Sequence, residues 1–305
     1  MRRYEKAYLE TTLECWEDIF KLPQRFMDKF VFRGQGDANW PISHSLERSV
    51  SKFYPHNIDT SLLFTEEQTM MKEFRWKYPL YSKSQPAHED FLEWFTIMQH
   101  HGAPTRLVDI TRSLFVAVYF ATSEHLPVDS AVWAINGTLL RSHLSSRYME
   151  LHSKNVATHD EISHYAHQCA NELFQGPAWQ QDPPKGIYYI EPQIVNERLA
   201  RQQGAFLMPA NVQLSFTEHL MSHVLIEQAL RIDFKPLIQY ANGKKYAQDD
   251  IAILKINIPQ GLNYEIGKYL RAMNLTAEML FPGLDGLCKS VAYLRREGMG
   301  NPFQL

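Results

Sequence analysis

The spacing of apolar and polar residues along the chain predicts helices and short strands in an irregular order. Apolar positions at helical spacing, or apolar runs of helical length, predict helices over residues 12–30, 65–77, 89–101, 114–122, 161–174, 196–203 and 219–231. Short apolar segments bounded by turn formers predict strands over residues 31–34, 105–109, 131–137, 186–190, 204–208 and 251–258, and helix, turn, strand and helix complete the chain through residue 293. The pattern lacks regular βαβ spacing, so it predicts an α+β fold with a mixed or antiparallel sheet and flanking helices.

Residue types at the predicted helix ends refine these boundaries. Thr65 is suited to cap the helix over residues 65–77, and Gly102 is suited to end the helix that carries His100 and His101 in its last turn. Thr111 or Ser113 is suited to cap the apolar helix over residues 114–122, which is apolar on all sides and is therefore predicted to be buried.

Composition is that of a folded protein and does not identify a partner. The chain has 305 residues, 45% hydrophobic and 21% charged, which predicts a full-sized core in one or two domains. A formal net charge of -3 predicts no overall attraction to nucleic acid or to an anionic membrane. The polar, histidine-rich residues 138–185 are predicted to be an insertion or variable region.

The cysteines and histidines exclude some site types. Three separated cysteines do not suggest a disulfide framework or a metal knuckle, and the thirteen histidines lack metal-binding spacing, so no metal is predicted. No segment approaches the roughly 18 uninterrupted apolar residues of a membrane helix. We therefore expect a cytoplasmic protein with no membrane partner.

Two blocks carry a family resemblance. Residues 32–35 are FRGQ and residues 40–48 are WPISHSLER, while residues 99–111 are QHHGAPTRLVDIT and run into AVYFA at residues 117–121. These blocks, spanning about residues 30–125, resemble the signature of the FRG-domain family, with Ile110 where tryptophan is usual. Weaker similarity at residues 197–206 and 280–286 leads us to treat 1–305 as a single FRG-type domain.

A more distant resemblance is to bacterial mono-ADP-ribosylating toxins. Their arginine, hydroxyl residue and glutamate occur in the same order along the chain as Arg33, Thr111 and Glu278. The resemblance implies an ADP-ribosyltransferase-like fold, NAD as the substrate, catalytic roles for Arg33 and Glu278, and action as a toxin or antiphage effector. It does not identify the acceptor, protein or nucleic acid. Order alone does not assign this role, and Glu278 also fits an ordinary surface carboxylate.

Several residues are candidates for binding a small nucleotide ligand, and each has a structural alternative. The candidates are Arg33, Gly34, Gln35, His100, His101, Arg106, Asp109, Thr111 and Gln203. Arg33 suits bidentate phosphate binding or a structural pair with a carboxylate such as Asp109. The His100 and His101 group suits ligand binding, acid–base work or a network that locks helix to strand. Gln203 suits a nicotinamide or adenine pocket, or a helix end at Gly204 followed by a core strand.

Three functional hypotheses follow. The first is an NAD-using ADP-ribosyltransferase or NAD glycohydrolase. The second is a non-catalytic module that binds a nucleotide or phosphate ligand through Arg33, His101 and Arg106. The third is a nucleic-acid-binding protein with a basic face made of Arg33, Arg48, Arg106 and Arg112.

Overall fold

A computed structural model describes residues 8–22, 24–53, 60–124, 126–176, 181, 184–192, 196–222 and 253–296. The strands in these residues are β1 (Leu9–Thr12), β2 (Phe30–Gln35), β3 (Val108–Thr111), β4 (Ser130–Asn136), β5 (Ile187–Ile190), β6 (Gly204–Pro209) and β7 (Ile253–Ile258). The α-helices are α1 (Gln24–Lys29), α2 (Ser45–Phe53), α3 (Thr60–Lys77), α4 (Phe91–His100), α5 (Leu114–Thr122), α6 (Gly137–Leu151), α7 (His159–Gln175), α8 (Glu197–Arg201), α9 (Phe216–Ser222), α10 (Asn263–Ala272), α11 (Ala277–Leu280) and α12 (Leu284–Arg296).

The strands form one seven-stranded sheet in the order β1-β7-β4-β2-β3-β6-β5. The β1–β7 pair is parallel and the other neighbouring strands are antiparallel. Helices flank this sheet, so the predicted α+β class with a mixed sheet is confirmed. None of the described helices combines the length and the apolarity that a membrane span requires.

Both faces of the sheet are covered by helices. Successive strand residues point to opposite sides, and the strands place apolar side chains on each side. On one face, Phe32 and its neighbours pack against the apolar helix α5 and against α10, and farther along Phe206 belongs to a core shared with α4 and α7. On the other face, Val31 and Trp133 share a core with residues of α6 and α9. The burial of α5 follows the prediction for a helix without a polar side.

The contact between β2 and α5 depends on Gly34. A Cβ atom at this position would lie 2.0 Å from the Ala117 carbonyl oxygen and 2.6 Å from the Ala121 nitrogen, both of them backbone atoms in α5. The missing side chain lets the helix lie directly on the strand. This packing is one structural reason for a glycine in the FRGQ segment.

Most predicted elements are present, and three predictions are wrong. The stretch over residues 12–30 is not one helix, because β1, a 3₁₀ helix at Trp16–Lys21 and α1 occupy residues 9–29. Thr65 is not a cap, because α3 begins at Thr60 and the Thr65 hydroxyl donates to the Ser61 carbonyl inside the helix. No strand follows β7 within residues 259–296, which form helices α10 to α12 and connecting turns.

The region predicted as an insertion contributes to the core. Helix α6 was not predicted, and α7 extends the predicted helix by a few residues at its start. Tyr165, Cys169 and Phe174 of α7 pack with Phe95 of α4. The expectation that residues 138–185 vary among relatives stays a prediction. Residues 223–252 lie outside the described part of the chain, so the helix predicted over 219–231 is seen only in α9.

Candidate functional site

The two signature blocks meet at the start of α2 and are joined by hydrogen bonds. The Ser45 hydroxyl donates to the Thr105 carbonyl oxygen at 3.1 Å and accepts from the Thr105 nitrogen at 2.9 Å. The Thr105 hydroxyl donates to Gln99 Oε1 at 2.6 Å, and Gln99 Nε2 donates to Asp109 Oδ2 at 2.8 Å. Residues far apart in sequence thus form one polar network that holds the Asp109 carboxylate.

Arg33 lies beside this network, where β2 and β3 separate. In the described residues, Phe32 and Thr111 are the one pair at which these two strands are in register. Beyond it, Arg33 Nη1 donates to the Asp109 carbonyl oxygen at 2.8 Å, so the half-buried guanidinium occupies the gap between the strands. Its Nε atom is buried and has no hydrogen-bond partner among the residues that the structure describes.

The electrostatics of Arg33 reflect this position. Burial lowers the pKa of Arg33 to about 10, the Asp109 carboxylate opposes the shift, and the charge of Arg48 adds to it. A guanidinium stays protonated at neutral pH at this value. Arg33 is therefore a partly desolvated cation next to a second one.

Arg48 also lies at this site, although the sequence predicted it only as part of a basic face for nucleic acid. It lies on α2, its side chain is exposed, and Nη1 donates to the Ser43 carbonyl oxygen. Although the side chain is exposed, the surrounding protein partly desolvates the guanidinium and lowers its pKa, while the carboxylates of Asp109 and Glu47 raise it. We call Arg33, Arg48 and Asp109, with Gln99 behind them, the β2–β3 mouth. Its signal in the sequence is the arginine that ends the WPISHSLER block.

Gly34 and Gln35 have structural positions next to the mouth. Gly34 faces α5, and Gln35 Nε2 donates to the Pro41 carbonyl oxygen at 3.2 Å. Gln35 Oε1 accepts from Trp133 Nε1 at 2.7 Å, which leaves the amide buried and paired. Both residues therefore hold β2, the strand that carries Arg33, against its neighbours α5 and β4.

Arg106 is fully buried instead of facing a ligand. Its Nε donates to Glu67 Oε1 at 2.7 Å and its Nη2 donates to Glu67 Oε2. The guanidinium also lies over the rings of Phe95 and Phe174. Glu67 was missed, because the predicted start of α3 put it in a solvent-exposed first turn. The pair removes Arg106 from the proposed basic face.

His100 and His101 lie at the end of α4, as predicted, with Gly102 in a left-handed conformation (φ 84°). The rings form an edge-to-face pair with centroids 4.8 Å apart. Burial and the neighbouring His101 lower the pKa of His100. His101 is exposed and borders a mostly apolar cavity of about 830 Å³ between α3 and the end of α4, together with Met70, Phe74, Tyr78 and Met98.

Thr111 is buried and its hydroxyl is fully used. It donates to the Gln202 carbonyl oxygen at 2.7 Å and accepts from the Ser113 nitrogen at 3.0 Å. Ser113 is the N-cap of α5. Gln202 Nε2 in turn donates to the Leu280 carbonyl oxygen at 3.0 Å. Thr111 therefore connects β3 through Gln202 to α11.

Gln203 takes the left-handed conformation (φ 47°) that the sequence suggested for Gly204. Its carbonyl oxygen accepts from the Arg112 nitrogen at 3.0 Å. Gly204 instead begins β6, where a Cβ atom would lie 2.4 Å from Leu199 Cδ1. Close packing against the Leu199 side chain of α8, and not the φ angle, favours glycine at this position.

Glu278 lies on α11 with an exposed side chain. Arg201 Nη1 donates to the carbonyl oxygens of Glu278 and Met279, each at 3.2 Å. Among the described residues, no hydrogen bond or ion pair joins the Glu278 carboxylate to Arg33. The structure therefore brings together Arg33 and Asp109, adds Arg48, and leaves Glu278 on a separate element.

The described side chains include no group of three or more His, Cys, Asp or Glu residues arranged to hold a metal ion. In the comparison with known families, the model described as FRG domain matches residues 28–130, from the end of α1 to the start of β4. No curated protein and no solved structure matches this chain.

Proposed function

We propose that residues 28–130, which match the model described as FRG domain, bind the phosphate groups of a nucleotide at the β2–β3 mouth. The observation that carries the proposal is a half-buried Arg33 whose Nε has no partner in the described part of the chain, next to a second guanidinium on Arg48. Both guanidinium groups interact with the Asp109 carboxylate, and Arg48 also interacts with that of Glu47, whose ionisation is disfavoured by burial. Positive charge is therefore in excess at the mouth when Glu47 is protonated.

The contacts of Arg33 support phosphate binding in particular. The Asp109 carbonyl oxygen orients the guanidinium, while Gln99 holds the Asp109 carboxylate through Oδ2. No ion pair closer than 4.0 Å joins Arg33 or Arg48 to a carboxylate within the described residues. Planar guanidinium groups suit bidentate contact with phosphate oxygens, and such bonds are strong where water is partly excluded.

The test is calorimetric titration with ADP-ribose, which presents a pyrophosphate without a reactive nicotinamide bond. Arg48→Ala is expected to weaken binding by about tenfold or more, since a hydrogen bond to a charged group contributes about 1.5–3 kcal/mol. Arg33→Lys keeps the charge but loses the planar fork, and should weaken binding similarly. Arg112→Ala, an exposed arginine paired with Glu191, is the matched control. Equal affinity in all four proteins would refute the site.

A second candidate, NAD-consuming ADP-ribosyl transfer, is favoured by one observation. Phe32 pairs with Thr111, so the strand-to-helix junction lies beside the strand of Arg33, and Gln202 links Thr111 to the helix of Glu278. In this proposal Arg33 binds the pyrophosphate of NAD. Nicotinamide leaves with the electrons of the glycosidic bond, Glu278 stabilises the oxocarbenium-like ribose, and water or an acceptor nucleophile adds to C1′ and loses a proton. The protein then acts in the cytoplasm as a toxin or antiphage effector.

Incubation with NAD, followed by chromatography for free nicotinamide, tests this second candidate. We expect release by the unaltered protein, a loss of about 100-fold or more in Arg33→Ala and Glu278→Gln, and no loss in Asp285→Asn, an exposed carboxylate on the neighbouring α12. Binding of ADP-ribose without any nicotinamide release would reject the transferase and leave the binding function in place.

A further inference from the structure

Glu47 joins the FRG domain to a helix outside the matched residues. Its Oε1 accepts from the Phe216 nitrogen at the start of α9 at 2.9 Å, and its Oε2 accepts from the His44 nitrogen at 3.2 Å. The Glu47 nitrogen donates to His44 Nδ1 at 3.1 Å, which completes a reciprocal cap on α2. One carboxylate therefore accepts backbone hydrogen bonds at the starts of two helices, α2 and α9.

Within the described ranges, no lysine or arginine side chain makes a hydrogen bond to this carboxylate. His44 Nε2 lies 3.7 Å from Glu47 Oε2, and because His44 Nδ1 accepts a hydrogen bond, the neutral ring carries its proton on Nε2. Burial lowers the pKa of His44 well below its usual value and that of His219 to about 4, so both rings are neutral at pH 7. Burial raises the pKa of Glu47 to about 7.

The charged groups around Glu47 come from both helices it caps. Arg48 follows it on α2 and favours its ionised form, whereas Glu218 on α9 opposes ionisation. Arg106 acts on the neighbouring His44 and His219 and helps to keep them neutral. Arg48 is thus the link between Glu47 and the β2–β3 mouth.

Resting on the proposed binding function, we infer that Glu47 is a positioning residue that takes up a proton when an anion binds at Arg33 and Arg48. It holds α2, which carries Arg48, at the mouth, and its charge partly offsets that of Arg48. A bound phosphate adds negative charge beside Arg48 and disfavours an ionised Glu47. By linkage, protonation of Glu47 strengthens anion binding to the same extent.

The sign of the pH dependence follows from this coupling. Affinity for the anion rises as pH falls from 8 to 6, through the range in which Glu47 titrates, and the slope is at most about tenfold per pH unit for one proton. Below this range Glu47 is fully protonated in both states, so it no longer makes the affinity depend on pH. A residue with a purely structural role would change affinity or stability without a proton uptake centred near pH 7.

The experiment is calorimetric titration with ADP-ribose between pH 6 and 8 in two buffers that differ in ionisation enthalpy, which measures protons taken up on binding. The pyrophosphate diester of ADP-ribose does not titrate in this range, so the protons come from the protein. We expect uptake of a fraction of a proton near pH 7 and several-fold tighter binding at pH 6 than at pH 8. Glu47→Gln should abolish the Glu47 contribution. Glu218→Gln removes a capping carboxylate on α9 that opposes ionisation of Glu47, so it should retain the proton uptake with its midpoint moved to lower pH.

The outcomes separate this inference from the function on which it rests. Binding without proton uptake, or with uptake that persists unchanged in Glu47→Gln, overturns the role of Glu47 and leaves phosphate binding intact. No binding by the folded protein at any pH overturns both. If Glu47→Gln does not fold, carbon NMR of the Glu47 carboxyl group decides: a rise in its pKa on adding ADP-ribose supports the inference, and an unchanged pKa overturns it.

Discussion

Arg106 and Glu67 form a two-pronged ion pair in which each side chain is only 1% exposed. The pair connects β3 and its preceding loop to the middle of α3, and the guanidinium also contacts the rings of Phe95 and Phe174. Burying both charges has a large desolvation cost, so the intact pair adds little to the free energy of unfolding. Removing one partner lowers that free energy strongly, because the other charge stays buried without a partner.

Removal of one partner should destabilise the protein strongly. Glu67→Ala is expected to lower the free energy of unfolding by about 3–5 kcal/mol, because it leaves an uncompensated buried guanidinium. Urea denaturation measures this change. The exposed pair of Glu73 and Lys77 provides the control, since Glu73→Ala should cost less than about 1 kcal/mol. Similar costs for both substitutions would show that Arg106 is not buried as described.

Gly34→Ala should destabilise the fold because the new methyl group meets backbone atoms of α5 that cannot move independently. Overpacking of this kind costs about 1–3 kcal/mol, and we expect the upper end or more here. Thermal unfolding followed by circular dichroism provides the measurement. Gly261→Ala, where the Cβ atom meets nothing within 4 Å, should change stability by less than about 0.5 kcal/mol. A stable Gly34→Ala protein would contradict the close approach of β2 and α5.

His219 should make the fold sensitive to mild acid. Burial lowers its pKa to about 4, so the folded protein resists protonation that the unfolded chain accepts near pH 6.5, and stability is lost as pH falls from about 6.5 towards 4. His219→Gln should reduce the loss between pH 7 and pH 5 by about 2 kcal/mol. Urea denaturation at both pH values tests this. His88→Gln, at an exposed position, should leave the acid sensitivity unchanged.

Thr111→Val removes a hydroxyl that both donates and accepts in the interior, and should lower the free energy of unfolding by about 1–3 kcal/mol. Thr111→Ser keeps both hydrogen bonds and serves as the matched control. Denaturant unfolding compares the two. If valine were tolerated as well as serine, the link from β3 through Gln202 to α11 would not contribute to stability.

Local pattern was enough to locate the strands and helices in which that pattern agrees with burial. The apolar run of α5, the apolar strand β4 and the glycine that ends α4 were located because hydrophobic pattern and capping act over a few residues. The family match over residues 28–130 was also predictable, since both signature blocks lie within it. The start of α3 was misplaced because Thr65 resembles a cap although the helix extends back to Thr60.

The partners of the charged residues were decided only by tertiary structure. Nothing local distinguishes Glu67, which is buried against Arg106, from Glu66 beside it, and nothing in the order of Arg33, Thr111 and Glu278 states which of them share a surface. The mouth exists because β2 and β3 separate after one pair of residues and α2 brings Arg48 to the gap. Pairing between residues distant in sequence depends on how the sheet and helices pack, so the local spacing of residues does not predict it.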